Sequence, residues 1–209
     1  MPRKPNRKNG RPLARRRAIQ ATVQDTGELR LIGGDWRSRR LTFPAVGGVR
    51  PTPSRVRETL FNWLMPVVPG ASCLDLFAGS GVLGLEALSR GAREAVFVDH
   101  TRALCDALKA NLARLKSDTG RVVCQDVAGF LGQTADAPFD LLLMDPPFRE
   151  NWLDRLIPLI VDNGWVADGS WVYIEHESER SQVVVPSNWS LHREKVAGQV
   201  CYRLYKVGA

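Results

Sequence analysis

The sequence predicts an α/β fold: a mainly parallel, seven-stranded sheet with helices on both faces, closed at its C-terminal end by an antiparallel hairpin. Three observations carry this. From Cys73 onward short apolar runs alternate with segments of helical spacing, the pattern of right-handed βαβ crossovers. The first run leads into Gly79-Ser80-Gly81-Val82-Leu83-Gly84, a glycine-rich turn that opens a helix. The last two runs, 190–196 and 200–205, flank a turn containing Gly198, so they read as a hairpin instead of a crossover.

The elements follow in order. Residues 1–20 are basic, with Pro and Gly among the charges and few apolar residues, and are expected to be a disordered tail. Residues 29–41 read as a short hairpin whose turn holds Gly33 and Gly34. Thr52-Pro53 reads as N-cap and first residue of a helix reaching Leu64. That helix turns Val56, Leu60, Phe61 and Leu64 inward and leaves Arg55 and Arg57 more exposed. Strands are expected near 72–77, 95–99, 121–125, 139–144 and 170–175. Helices fall near 82–90, 102–115, 126–132 and 150–162, the last bent or interrupted at Pro158. The division is therefore a tail, an N-terminal unit over 21–64, and a main domain over 65–209.

Composition narrows the function. A chain of 209 residues allows one domain with a sizeable core. Neither a bilayer-length apolar run nor an apolar leader is present, so no membrane association is expected. Cys73, Cys105, Cys124 and Cys201 lie far apart without a Cys-x-x-Cys pair, and the three histidines are dispersed. No metal site or disulfide framework is expected, and the compartment should be a reducing cytoplasm. Charge is asymmetric: residues 1–40 hold 12 Lys/Arg against 3 Asp/Glu, and the whole chain is +7, which leaves residues 41–209 at −2. A basic front on a near-neutral body points to a polyanion partner. Arg30, Arg37, Arg39 and Arg40 interleave with Trp36, which suits phosphates and an unstacked base, with Arg55 and Arg57 in support. Packing of Trp36 on the body is the competing reading.

Two motifs carry chemistry. In Leu74-Asp75-Leu76-Phe77-Ala78-Gly79-Ser80-Gly81 the glycines let backbone approach a ligand, and the helix start supplies free N–H groups. The next strand ends in Asp99, whose carboxylate can accept both hydroxyls of an adenosine ribose. NAD and S-adenosylmethionine both present an adenosine. Asp75, four residues before Gly79, suits the amino group of the second and does nothing for a pyrophosphate. Asp126, ending the third strand, either accepts from the adenine amine or caps the following helix. The second motif, Asp145-Pro146-Pro147-Phe148, ends an apolar strand in a stiff turn. A carboxylate, a free Pro146 carbonyl and a flat ring together can grip a planar group through its exocyclic amine.

These residues resemble a known family. Asp75 to Gly81 is similar to the first motif of class I methyltransferases, and Asp145 to Phe148 to their amine-methylating Asp/Asn-Pro-Pro-aromatic motif. From about Leu29 to Tyr205 the chain resembles the bacterial small-subunit (16S) ribosomal RNA guanine-N2 methyltransferases of the RsmD type. The resemblance rests further on Ile32-Gly33-Gly34-Asp35-Trp36-Arg37, Arg50-Pro51-Thr52, Arg55-Val56-Arg57-Glu58-Thr59-Leu60-Phe61-Asn62-Trp63-Leu64, Leu83-Gly84-Leu85-Glu86-Ala87-Leu88-Ser89-Arg90 and Asn188-Trp189-Ser190-Leu191-His192-Arg193-Glu194-Lys195. Asp99 stands where the family pattern has Glu, and Ser38 where a hairpin glycine is usual. The resemblance implies a Rossmann-like class I methyltransferase fold, S-adenosyl-L-methionine as methyl donor and N2 of one 16S guanine as acceptor. It implies cofactor contacts at Asp75, Phe77, Ala78, Gly79, Ser80, Gly81, Asp99 and Asp126, and a catalytic group of Asp145, Pro146 and Phe148. The substrate would be 16S ribosomal RNA in the small subunit or an assembly particle, with ribosomal proteins nearby; a monomer is the default expectation, apart from the resemblance. Adenine-N6 methylation of DNA or RNA, glutamine methylation of a protein, and an inactive RNA-binding assembly factor are the alternatives; an NAD oxidoreductase is the remotest.

Overall fold

The computed structural model describes residues 26–46, 50–180 and 182–208. The expected disordered tail over residues 1–20 lies outside them. Seven strands form the main sheet: β3 (Ser72–Leu76), β4 (Glu94–Asp99), β5 (Gly120–Cys124), β6 (Leu141–Met144), β7 (Trp171–Glu177), β8 (Trp189–Ala197) and β9 (Val200–Val207). Their order is β5-β4-β3-β6-β7-β9-β8, and every pairing is parallel except those of β9 with β7 and β8. The expected mixed sheet and closing hairpin are both present. The hairpin carries a bulge between Leu191 and Arg193.

Alternation along the central strands explains the layers. Leu74, Leu76, Leu142, Met144, Val172 and Ile174 face one side, where α4 (Val127–Leu131) and α5 (Trp152–Asp162) cover them. Cys73, Leu141, Leu143 and Tyr173 face the other, covered by α1 (Ser54–Trp63), α2 (Val82–Ser89) and α3 (Arg102–Leu115). β6 is apolar throughout because both its faces are buried. α5 runs unbroken through Pro158, contrary to the expected bend or interruption. That residue is exposed, so water can reach the carbonyl left without its partner, while Leu153, Leu156, Ile157 and Ile160 hold the helix down.

The N-terminal unit is joined to this body by a shared core. Strands β1 (Thr26–Arg30) and β2 (Arg40–Pro44) pair antiparallel, starting earlier and ending later than expected, around a nine-residue connection. That connection is pinned to α2. Asp35 N donates to Ser89 O (2.7 Å), Trp36 N to Ser89 Oγ (2.9 Å), and Ser89 Oγ to Gly33 O (2.6 Å). Gly34 has φ +70°, and a Cβ there would lie 1.6 Å from Ser89 O, so the close approach requires glycine. Leu29, Leu31, Leu41, Phe43, Leu60 and Phe61 enter the same apolar cluster as Leu143 and Tyr173.

Two expectations are corrected here. α1 starts at Ser54 with Pro53 as N-cap and no side-chain capping bond, so Thr52 does not cap it. Arg57 is buried at 3% exposure instead of facing solvent with Arg55. Its guanidinium pairs with Glu86 of α2 at 2.6 Å and donates to Thr52 O (3.0 Å), Arg30 O (3.1 Å) and Ser54 Oγ (3.0 Å). Glu86, fully buried, also accepts from Ile32 N at 2.6 Å. The apolar stripe of α1 turned Arg57 inward because a carboxylate and three further acceptors were waiting to satisfy it.

Candidate active site

The chain runs outward from β3 to β5, then returns to β6, so a crevice opens at the C-terminal ends of β3 and β6. Ligands of open parallel sheets bind at such a switch point. A cleft of about 460 Å³ lies there, and it receives residues from four separate stretches of chain.

The first wall is local. β3 ends at Leu76, and Phe77 takes φ +57°, a strained turn for a side chain of this size, before Gly79 (φ +54°) and Gly81 (φ +74°). A Cβ on Gly81 would come within 2.5 Å of Leu108, so the turn can lie against α3 only without one. Asp75 Oδ2 accepts from Gly84 N at 2.8 Å, across the first turn of α2. Burial still dominates and pushes its carboxyl up to about 8, because no cation acts on it among the described residues. Asp99 closes this wall: Oδ2 accepts from Gly79 N (2.8 Å) and Oδ1 from Thr101 N (2.7 Å). Each of its oxygens keeps a second lone pair. Asp75, Phe77, Ala78, Gly79, Ser80 and Asp99 all line the cleft.

Asp126 does not line it. Its Oδ2 accepts from Gly129 N at 2.8 Å as the side-chain cap of α4, and the residue is exposed. Of the two roles expected of it, the structure realises the capping one. Gly81 is present as the N-cap of α2, behind Ser80.

The second wall is convergent. Asp145, Pro146, Pro147 and Phe148 follow β6 and line the cleft, with Phe148 half-buried. Burial lifts the Asp145 carboxyl to about 6, with the nearby Thr52 hydroxyl offsetting part of that rise. Asp145 also follows the register that sets Met144 beside Ile174, which places it next to Glu175 of β7. Val46, Arg50, Pro51 and Thr52 of the N-terminal unit complete the lining. Sequence reasoning missed Thr52 and Glu175. The signal for Glu175 was a lone carboxylate in the apolar run Trp171-Val172-Tyr173-Ile174-Glu175, and Thr52 was concealed by its plausible capping position.

The remaining sequence-predicted residues lie apart from the cleft lining. Arg30, Arg37, Arg39, Arg40 and Arg55 are exposed. Arg30 Nη2 donates to Ser38 Oγ (3.0 Å), and Arg40 pairs with Glu28 at 3.1 Å. Arg30 and Arg37 border a second hollow of about 600 Å³ between the hairpin connection and α1. Trp36 is half-buried and packs against the core. Arg57 is committed to Glu86 and leaves the solvent-facing set. Among the described residues no group of three His, Cys, Asp or Glu side chains could hold a metal ion, and no helix is long and apolar enough to cross a membrane.

A buried carboxyl without a cation at the cleft floor fits an ammonium group. A second carboxyl beside a glycine turn fits ribose hydroxyls. Together they suit S-adenosylmethionine, and with the sheet topology they define a Rossmann-like, S-adenosylmethionine-dependent methyltransferase of class I. Comparison with known proteins specifies this further. Residues 29–206 match the family described as Conserved hypothetical protein 95, and the chain belongs to that family. It is 54% identical over 181 residues to the ribosomal RNA small subunit methyltransferase D of Escherichia coli strain K12, covering 87% of this chain and 91% of the relative. The protein of the same name from Haemophilus influenzae is 44% identical over 188 residues, covering 88% and 97%. A solved methyltransferase structure from Escherichia coli superposes with a TM-score of 0.82 at 54% identity, covering 88% of this chain and 99% of that one.

Proposed function

We propose that this enzyme methylates the exocyclic N2 amine of one guanine in 16S ribosomal RNA, using S-adenosyl-L-methionine. The observation that carries the reading is the cleft itself: an amine-gripping Asp145-Pro146-Pro147-Phe148 turn faces the Asp75–Gly79–Asp99 wall across one cavity. S-adenosylmethionine, when bound, supplies an electrophilic sulfonium methyl group. Asp75 holds its amino group, Asp99 its ribose, and the backbone of Phe77 to Gly81 its body.

The guanine amine is a weak nucleophile because its lone pair is delocalised into the ring. Asp145 and the Pro146 carbonyl accept its two N–H bonds while Phe148 stacks on the flipped-out base. This orientation turns the nitrogen lone pair into the cleft, and positioning supplies most of the rate. The ionised Asp145 also stabilises positive charge developing on nitrogen. The N-terminal unit, with Arg30, Arg37, Arg39, Arg40 and Arg55 exposed, faces the RNA phosphates. The substrate is the small subunit or an assembly particle, in which ribosomal proteins lie nearby, and the enzyme works as a cytoplasmic monomer.

The test is transfer from labelled S-adenosylmethionine into small subunits from cells lacking this gene, with the product nucleoside identified by mass. N2-methylguanosine at one 16S site is expected. Methyladenosine, or label in protein, would overturn the acceptor while leaving the cofactor wall intact.

A further inference from the structure

The hollow between the hairpin connection and α1 lies outside the cleft, and its lining is one-sided in charge. Arg30, Arg37 and Arg90 bring three guanidiniums to it, against the single carboxylate of Glu58 among the described lining residues. Arg30 and Arg37 are exposed, whereas Arg90 is half-buried and held in place.

Arg90 ends α2. Its Nε donates to Glu86 Oε2 at 3.3 Å, and its Cζ lies 4.8 Å from the centre of the Phe61 ring. Gly33 lies against its Nη2, where a Cβ would come within 2.2 Å. An arginine closing a helix four residues after a glutamate is, most simply, an i,i+4 pair at a favourable dipole end. Two observations go beyond that. Glu86 is fully buried and already has Arg57 at 2.6 Å, so one carboxylate faces two guanidiniums and a positive charge is left over. The Glu86 bond also uses only one of the five N–H donors of Arg90, and neither Nη has a partner among the described residues. These free donors belong to a side chain that is 24% exposed and lines the hollow. A second guanidinium is oriented at the lip. Ser38 holds φ +69°, a region that favours glycine, and its hydroxyl accepts from Arg30 Nη2 at 3.0 Å. Strain is kept there together with a bond that aims Arg30.

We propose that this hollow is a phosphate site for the substrate RNA, with Arg90 as its fixed donor and Arg30 and Arg37 as its exposed rim. This rests on the reading of the substrate as RNA. A guanidinium fork matches two phosphate oxygens at once. The place of the hollow favours a nucleic-acid backbone as occupant, because both cavities border the start of α1: Thr52 lines the cleft and Ser54 the hollow. Two residues of chain span at most about 7 Å. A strand whose guanine enters the cleft therefore carries its neighbouring phosphates past the hollow. Phosphate contacts fix register and carry no sequence information, so the site contributes affinity and placement and leaves the chemistry to the cleft.

The experiment combines methyl transfer to small subunits from cells lacking this gene with binding to those subunits and to protein-free 16S RNA, between about 50 and 200 mM salt. Arg90→Met should raise KM for subunits roughly tenfold and reduce the salt slope by about 1, with kcat and S-adenosylmethionine affinity within about twofold of wild type. Arg90→Lys keeps the charge but not the fork, so it should restore the slope while affinity stays about threefold down. A loss of kcat with an unchanged slope overturns the proposal, since a purely structural role at the end of α2 would give that result. So does a slope reduced on subunits but not on protein-free RNA, which would put a ribosomal protein in the hollow. Should Arg90→Met lose its cooperative unfolding transition, Arg37→Gln, at an exposed position, decides in its place by the same slope. Wild-type enzyme that transfers no methyl to small subunits sinks the reading of the substrate and this site with it. N2-methylguanosine formed with an unmoved slope in both variants sinks the site alone.

Discussion

The two walls of the cleft solve one problem, a carboxyl at the end of a buried strand, by different means. On the cofactor wall Asp75 and Asp99 accept from backbone N–H groups of Gly84, Gly79 and Thr101, all within a single β–α–β stretch. On the acceptor wall Glu175 accepts from the Tyr173 hydroxyl of its own strand, and Asp145 shares the cleft lining with Thr52 of the N-terminal unit. A backbone amide only donates. A hydroxyl donates or accepts, so it can serve a carboxyl in either protonation state. The first wall is thus built within one stretch of chain, and the second is assembled from three.

The largest expected effect breaks the second wall alone. Asp145→Ala should lower single-turnover methyl transfer on the order of 10³-fold, while calorimetry finds S-adenosylmethionine affinity close to wild type. A parallel loss of affinity would mean that the walls are not separable. Next comes the joint that brings the N-terminal unit onto the sheet. Glu86→Gln leaves Arg57 buried without its counter-charge and should cost about 3–5 kcal/mol in denaturant unfolding. A cost below about 1 kcal/mol would mark the pair as dispensable.

The first wall is tested by proton linkage. With Asp75 pushed up to about 8, the carboxyl is largely protonated at pH 7 and must ionise to meet an ammonium group. Binding of S-adenosylmethionine should therefore release up to one proton, and tighten by at most about tenfold per unit as pH rises from 6 to 8. Calorimetry in two buffers of different ionisation heat reads the release. Asp75→Asn should abolish it, and a release that persists would place the proton on another group. The smallest effect concerns the outer face. Neutralising Arg37 and Arg39 should weaken RNA binding and reduce its salt slope by about 1–2. An unchanged slope would route the RNA along another surface.

Legibility followed the same division. The glycine turn, Asp75 and Asp99 were readable because their partners lie within one strand–turn–helix unit, and the Asp145-Pro146-Pro147-Phe148 turn because its chemistry is contiguous. Arg57 was misread because helical spacing alone cannot tell an arginine aimed at solvent from one aimed at Glu86, 29 residues away. Thr52 was misread because Thr-Pro before a helix is a familiar start, whereas the residue lines the cleft with Asp145, 93 residues downstream.

By itself the sequence determined the α/β class, the order of strands and helices, the closing hairpin and the carboxylates at the strand ends. These follow from periodicity, glycine and proline, which act over a few residues. Only the tertiary structure decided that the N-terminal unit shares the core of the sheet, that Arg57 is a buried anchor, and that Thr52 lines the cleft with Asp145. Burial and ion pairing are properties of neighbours in space, and no local pattern records which distant residue will become one.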